Sequence, residues 1–321
     1  MGPRLVVLGA YPNNRNAGPS LSGSSWIDLV DPIDAEKSAF ERAFELRVPS
    51  REELSEIETT SRLRSERGAL YMSVPLIVLS QEGAWMIAPT GFVLSKNVLL
   101  TVRFTRSAAF DKVIAELSAA ENFEPAEVFT RIIEELVDHM ADQLEGTAND
   151  LDSASQIVFR ENVSSMPSRE SGLLRRLMMR TGRTSERMSH LHYTLVCLER
   201  MAKFTMDRCR EWIGREQVTR LQTVLSDIAS LVQFVESLVS RVQLLQDAAT
   251  GIISIDQNDI VKVLTIASVV GIPPILVVGI YGMNFKYMPE LNWPWGYPFA
   301  LVLVALSIIL PLVWFKLKDW M

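Results

Sequence analysis

The chain has 321 residues, a net charge of −6 and an apolar content of 48% that is distributed unevenly along its length. The acidic balance argues against a nucleic-acid partner, because a nucleic-acid-binding body of this size carries a basic face. The negative net charge makes cations the more plausible ligands. Cys197 and Cys209 form neither a CxxC nor a Cys/His pattern, which predicts reduced, structural thiols and neither a disulfide framework nor a zinc site.

Residues 1–122 show mixed helix and strand signals. The stretch "DPIDAEKSAFERAFEL" is helix-like, whereas "ALYMSVPLIVL", "AWMIAPTGFVLS" and "NVLLTVRF" are rich in β-branched and aromatic residues and end at turn signals. This segment is predicted to be the small N-terminal α/β part of a domain outside the membrane.

Residues 123–215 are predicted to form a helical hairpin of the same domain. After a break at Met166–Ser168, a second helical tract is expected from Leu173 to about Trp212. The first tract is a long amphipathic helix, because apolar residues recur at helical spacing with acidic residues between them: Val128, Ile132, Leu136, Met140, Leu144 and Leu151.

Residues 216–262 are predicted to form a stalk helix with a self-associating seam. No proline occurs between Gln217 and Val270, so this helix is expected to continue unbroken into the first membrane span. The seam is a coiled-coil pattern with one set of residues seven apart and a second set interleaved: Leu221, Ile228, Val235 and Val242, with Leu225, Val232 and Val239.

Two intervals lack charged residues, one between Lys262 and Lys286 and one between Glu290 and Lys316. Each approaches the roughly 20 apolar residues that cross a bilayer core of about 30 Å. We predict transmembrane helices at 263–285 and 294–315, an external loop at 286–293 and a tail at 316–321. Lysine distribution and the lack of a signal-peptide pattern predict an integral protein of the bacterial inner membrane with both termini cytoplasmic.

One face of the first span is a candidate pore wall. A single two-span subunit cannot enclose a polar pathway in lipid, but an oligomer can. A mostly apolar lining suits a hydrophobic gate, although ordinary helix packing also explains this face. Pro273–Pro274 predicts a kink or a π-type irregularity, which a merely tolerated bend explains equally well. The face comprises Asn258, Val261, Leu264, Ser268, Ile272, Ile275 and Gly279.

The link "GIYGMNFKYMPELNWPWGYP" between the spans carries cation-binding chemistry. Gly282 permits a sharp turn, and Asn284 offers an amide oxygen to a cation or its water shell. Mg²⁺ releases its waters reluctantly, so neutral oxygens can select the hydrated ion without stripping it. Glu290 would concentrate cations at the mouth. The aromatic residues of the link are expected at the headgroup level.

The chain resembles the CorA family of divalent-cation channels and transporters. The family's Gly-Met-Asn signature stands here as "GIYGMNF", and "WIDLVDP", "KVLTIAS", "MPEL" and "GYP" are also similar. The likeness covers nearly the whole chain, though the middle matches only in type of structure. Ile272 and Ile275 depart from the family, since Met and Thr are common there in Mg²⁺-transporting relatives.

This resemblance implies a homopentamer with a cytoplasmic funnel, long stalk helices around one pore, and a selectivity filter of Gly282, Met283 and Asn284. Asn258, Leu264 and Gly279 fall at pore-lining positions of the family. It also implies cytosolic Mg²⁺ sensing by carboxylates between subunits. Acidic residues on the helical tracts are candidate sensors, although a solvated helix face explains them equally well: Asp207, Asp227 and Asp247.

We therefore expect an α+β cytoplasmic domain with two C-terminal transmembrane helices, and a pentameric channel that carries Mg²⁺, with Co²⁺ or Ni²⁺ as further ions, under the control of the cytoplasmic domain. Membrane lipid and other copies of the chain are the expected partners. No catalytic or prosthetic-group motif occurs, so the protein is not expected to be an enzyme. The alternatives are a Zn²⁺ transporter of the same family, proton-coupled or not, and a non-conducting membrane-anchored coiled coil.

Overall fold

The structure, a computed structural model, describes residues 4–9, 24–56, 58, 62–79, 85–117, 123–159, 167–284, 286–318 and 320. The chain divides into two compact units. The first comprises Met1–Phe159 and Arg176–Leu245, and the second comprises Arg160–Arg175 and Gln246–Met321.

A six-stranded mixed sheet organises the first unit, in the order β1-β2-β6-β5-β4-β3. The strands β1, β2 and β6 run parallel, and the other neighbouring pairs are antiparallel. The long predicted strands are confirmed, whereas β1 and β3 were not predicted as strands. The strands are β1 Arg4–Gly9, β2 Ser24–Val30, β3 Leu63–Glu66, β4 Ala69–Leu79, β5 Trp85–Leu94 and β6 Leu99–Arg103.

Helices cover both faces of this sheet. On one face, Phe40 of α1 (Asp34–Phe44) and Leu54 of α2 (Arg51–Leu54) join a buried cluster with Ile27 and Leu29 of β2. α1 begins with a capping interaction, in which the Ile33 amide donates to Glu36 Oε2 at 3.0 Å.

On the opposite face, the rings of Phe92 in β5 and Phe129 meet edge to face, with centroids 5.9 Å apart. Phe129 belongs to α4 (Pro125–Val158), which follows α3 (Ala108–Leu117). The apolar stripe predicted for α4 is confirmed, because all its members are buried: Val128, Ile132, Leu136, Met140, Leu144 and Leu151.

The next helix, α5 (Pro167–Arg208), begins earlier than the predicted Leu173. Pro167 favours the first turn of a helix, where its missing amide proton costs nothing, so the predicted break is a start signal. Thr194 of α5 reaches the sheet, where its hydroxyl donates to the Pro75 carbonyl at 2.6 Å. Asp150 of α4 pairs with Arg180 at 2.6 Å.

The longest helix, α6, runs from Arg215 to Tyr281 over 67 residues. It continues through Pro273–Pro274 as α-helix without a π-helical segment, and the kink given as the other form of this expectation stays a prediction. The residues of the predicted self-associating seam that lie seven apart are buried within the single chain, so this set packs inside the chain and its predicted contact with another copy is wrong. The interleaved set is only partly buried. The buried set is Leu221, Ile228, Val235 and Val242.

Ion pairs show the relative direction of α4 and α6 within the first unit. Arg220 Nε of α6 donates to Glu134 Oε1 of α4 at 2.8 Å, and Arg241 pairs with Asp152 further along both helices. The two helices therefore run in the same direction. The hydrogen bond from Arg220 to Glu134 also raises the pKa of this guanidinium, which stays charged.

In the second unit, the end of α6 and the helix α7 (Gly296–Leu317) are long and apolar enough to cross a membrane. A 3₁₀ turn, Pro289–Asn292, precedes α7. These elements are where two membrane spans were predicted. Both cysteines lie in the first unit, are free and are buried, and burial raises the pKa of Cys209 to about 12.

A buried charged network joins β2 and β6. Arg103 Nη2 lies 2.8 Å from Asp28 Oδ2, with the two side chains 1% and 0% exposed. The Thr101 hydroxyl donates to Asp28 Oδ1 at 2.6 Å, and Trp26 Nε1 donates to the Thr101 oxygen at 3.0 Å. The carboxylate is thus bonded on both oxygens, as a buried charge requires.

Removing this carboxylate should destabilise the first unit strongly. We expect Asp28→Ala to lower the free energy of unfolding by about 3–5 kcal/mol, because the buried guanidinium of Arg103 loses its nearest counter-charge and the partly exposed carboxylate of Asp111 lies further away, at 3.6 Å. Asp150→Ala removes a carboxylate from an exposed pair and should cost about 1 kcal/mol or less. Urea unfolding of the full-length chain, followed by tryptophan fluorescence, measures both. Equal losses would contradict the assigned importance of the buried pair.

Candidate ion pathway

The candidate pore face occupies one side of α6. At about 100° per residue, its members fall within an arc of about 120° around the helix axis. Its large apolar side chains are solvent-accessible in the single chain, with Leu264 65% exposed and Ile275 71% exposed. A surface this apolar is stable only against lipid or other helices. The members are Asn258, Val261, Leu264, Ser268, Ile272, Ile275 and Gly279.

Two polar residues interrupt this apolar face. The Ser268 hydroxyl donates to the Leu264 carbonyl at 2.8 Å, so its proton is used within the helix. The hydroxyl oxygen can still accept a hydrogen bond from water or approach a cation. Asn258 lies on the same face and is exposed. The face therefore offers oxygen ligands at two levels and apolar side chains between and beyond them.

The predicted filter residues follow directly after α6. The Gly282 amide donates to the Val278 carbonyl at 2.9 Å, and the Met283 amide donates to the Ile280 carbonyl at 3.2 Å. Gly282 does not adopt the left-handed conformation, so the turn does not need a glycine for that reason. A Cβ atom there would instead lie 3.2 Å from the Val278 carbonyl oxygen. Asn284, which follows, is exposed.

A second glycine in the link was not predicted as a site residue. A Cβ atom on Gly296 would overlap the carbonyl oxygen of Glu290, so a larger residue would displace the 3₁₀ turn. Gly296 also donates its amide to the Trp293 carbonyl at 2.9 Å. This glycine therefore lets the backbone of Glu290 lie close to the start of α7. The only sequence signal for this role is a lone glycine in "WPWGYP".

Four aromatic residues between Lys286 and Pro298 are exposed, as expected for side chains at a membrane interface. Trp293 packs against Phe299 in α7, with ring centroids 5.9 Å apart. The other three of these side chains are Tyr287, Trp295 and Tyr297, which are 95%, 67% and 76% exposed.

Comparison with known proteins identifies the family. The family model described as "CorA-like Mg2+ transporter protein" matches residues 22–317. The chain belongs to the CorA-like Mg²⁺ transporter family. The match includes strands β2 to β6, the long helices and both candidate membrane helices, and leaves out only β1 among the described strands.

The CorA-like chain is similar to curated relatives along nearly its full length. It is 31% identical to the magnesium transport protein CorA of Wolinella succinogenes, with 94% of this chain and 92% of the relative covered. It is 29% identical to the protein of the same name from Pectobacterium atrosepticum, with 94% and 93% covered. The solved structure of the CorA magnesium transporter from Methanocaldococcus jannaschii shares the fold, with a TM-score of 0.73, 18% identity and coverage of 95% and 94%.

The candidate sensor carboxylates of this CorA-like chain are not brought together. Asp207, near the end of α5, pairs with Arg210 at 3.1 Å, and both side chains are exposed. Asp227 and Asp247 are exposed on α6. Within the described part of the single chain, no group of three or more His, Cys, Asp or Glu side chains could hold a metal ion. A sensor site built from these residues would need ligands from another copy.

Proposed function

We propose that the chain assembles, as a homopentamer, into a channel that carries Mg²⁺ across the bacterial inner membrane, with both termini cytoplasmic. The observation that carries the proposal is the single α6 helix. It bears an apolar face with two polar rungs and ends at the exposed Gly282–Asn284 turn. Several copies that turn this face inward would enclose a path lined by apolar side chains and oxygen atoms.

Asn284 and the backbone carbonyls of Gly282 and Met283 would form the selectivity filter. A ring of neutral oxygens accepts hydrogen bonds from the waters of hydrated Mg²⁺ and leaves the hydration shell in place. Glu290, exposed in the 3₁₀ turn, would add one carboxylate per copy near the entrance and raise the local cation concentration.

Leu264, Ile272 and Ile275 would form the hydrophobic gate. A narrow ring of such side chains excludes water and therefore ions until the helices separate. A membrane potential of 100 mV supplies roughly 4.6 kcal/mol for a divalent ion, so no other energy source is needed for entry. Metal bound between subunits, at Asp207, Asp227 or Asp247, would hold the gate closed by favouring the closed assembly.

Zn²⁺ transport, proton-coupled or not, is a second candidate. The observation that favours it is Ile275, which places an apolar side chain on the pore face where a hydroxyl would suit a hydrated Mg²⁺ ion. Co²⁺ and Ni²⁺ are further candidate ions for the same path. A non-conducting anchor would explain the two spans but would assign no role to Asn284.

Replacing the proposed filter amide should abolish selective transport. We expect Asn284→Ala to reduce Mg²⁺ uptake into proteoliposomes to the level of protein-free vesicles, while the oligomer keeps its size on gel filtration. Asn292→Ala is the matched control, since this asparagine is exposed in the same link but lies in the 3₁₀ turn. Normal uptake by the Asn284 variant would show that the filter is assigned to the wrong residue.

A polar residue in the proposed gate should make the channel leak. Leu264→Ser should raise the Mg²⁺ flux several-fold at Mg²⁺ concentrations that close the wild-type channel, because a hydroxyl ring keeps the constriction hydrated. Val263→Ser is the control, because Val263 is similarly exposed at 67% but lies on the other side of α6. The gate assignment fails if both variants leak equally, or if neither leaks.

A further inference from the structure

An apolar groove lies at one end of the candidate membrane helices. It has a volume of ≈ 520 Å³ and is lined by Val269 of α6 and by residues of α7. Its lining presents almost no polar surface, so water is a poor occupant. The α7 residues that line it are Leu310, Pro311, Val313, Trp314 and Leu317.

Lysine residues lie at the same end of both helices. Lys262 precedes Val269 on α6 by about 10 Å of helix axis, and Lys316 follows Leu310 on α7 by about 9 Å. Lys318 comes just after the end of α7, and Lys316 and Lys318 are exposed. The groove therefore extends to a cationic rim, because its lining residue Leu317 lies between Lys316 and Lys318 in the sequence. Asp259 lies one turn beyond Lys262, outside the apolar part of α6.

Trp320, beyond the end of α7, contacts the last turns of that helix. The Trp320 amide donates to the Phe315 carbonyl at 3.0 Å, and the two rings stack with centroids 5.7 Å apart. Phe315 is only 1% exposed as a result. Trp314 and Trp320 are 54% and 43% exposed, which suits indole rings at the headgroup level.

We propose that this groove binds an anionic phospholipid, with an acyl chain along the apolar lining and the headgroup phosphate on Lys316 and Lys318. The apolar groove suits a lipid acyl chain, and the positive charge of the rim attracts the negative charge of the headgroup phosphate. A second copy of the protein is a poorer occupant of the rim, because each copy carries the same lysines there. The proposal rests on the two helices crossing the membrane and does not depend on which ion is transported.

Native mass spectrometry of the delipidated full-length protein, with phosphatidylglycerol or phosphatidylcholine added back, tests this proposal. We expect phosphatidylglycerol to be retained at least fivefold better than phosphatidylcholine. This factor corresponds to about 1 kcal/mol, the attraction between one lysine and an anionic lipid surface. The double variant Lys316→Gln and Lys318→Gln should lose this preference. Lys286→Gln, which removes an exposed lysine from the link, should keep it.

A bulky side chain in the groove provides an independent test. Val313→Trp should reduce retention of both lipids, whereas Val302→Trp, on the same face of α7 but three turns away, should not. Val313 and Val302 are similarly exposed, at 51% and 56%. The same spectra report the oligomer, which shows whether each variant assembles. Equal retention of the two lipids, no effect of Val313→Trp, or an intact wild-type oligomer that retains no lipid would each overturn the proposal.

Discussion

A bilayer offers no hydrogen-bond partner to a polypeptide backbone, and this constraint governs α6 and α7. α6 satisfies most of it with one continuous helix from Arg215 to Tyr281, although Pro273 and Pro274 supply no amide to the carbonyls of Val269 and Val270. Between Leu221 and Val242, the apolar residues of this helix are buried or half-buried. Between Asn258 and Gly279, the helix exposes an apolar face. Under the proposed function, a shift of the helix at the seam would move Leu264 and its neighbours, because a hydrogen-bonded helix transmits displacement along its axis.

Much of the fold follows from periodicity in the sequence. The stripe of α4, the seam of α6 and the long strands β4 and β5 were predictable, because each buries one face or both faces over many residues. The misses are short or ambiguous. β3 is a four-residue strand that carries charge, and β1 resembles an isolated apolar run, since its pairing with β2 is not encoded locally. Pro167 is typical of a break in a helical pattern, but in this chain it begins α5.

The candidate site was predictable in its residues but not in its geometry. The link is recognisable in the sequence because it places amide and carboxylate side chains, together with glycines, between two uncharged segments. Gly282 lies in the turn directly after α6, and the constraint on this position is the close approach of a Cβ atom to the Val278 carbonyl oxygen. Gly296 was missed, because a contact between its backbone and Glu290 exists only after the link folds onto α7. A metal site shared between subunits at Asp207, Asp227 or Asp247 would need residues from two copies.

The most direct test of the central claim is divalent-cation flux into liposomes that contain the purified protein. Mg²⁺-sensitive and Zn²⁺-sensitive dyes are followed in parallel, with an imposed membrane potential and with or without a pH gradient. The account predicts Mg²⁺ entry that follows the potential and does not change with the pH gradient. Zn²⁺ entry that grows with the proton gradient, without Mg²⁺ entry, would contradict the Mg²⁺ channel. Absence of flux for both ions would contradict ion conduction along α6.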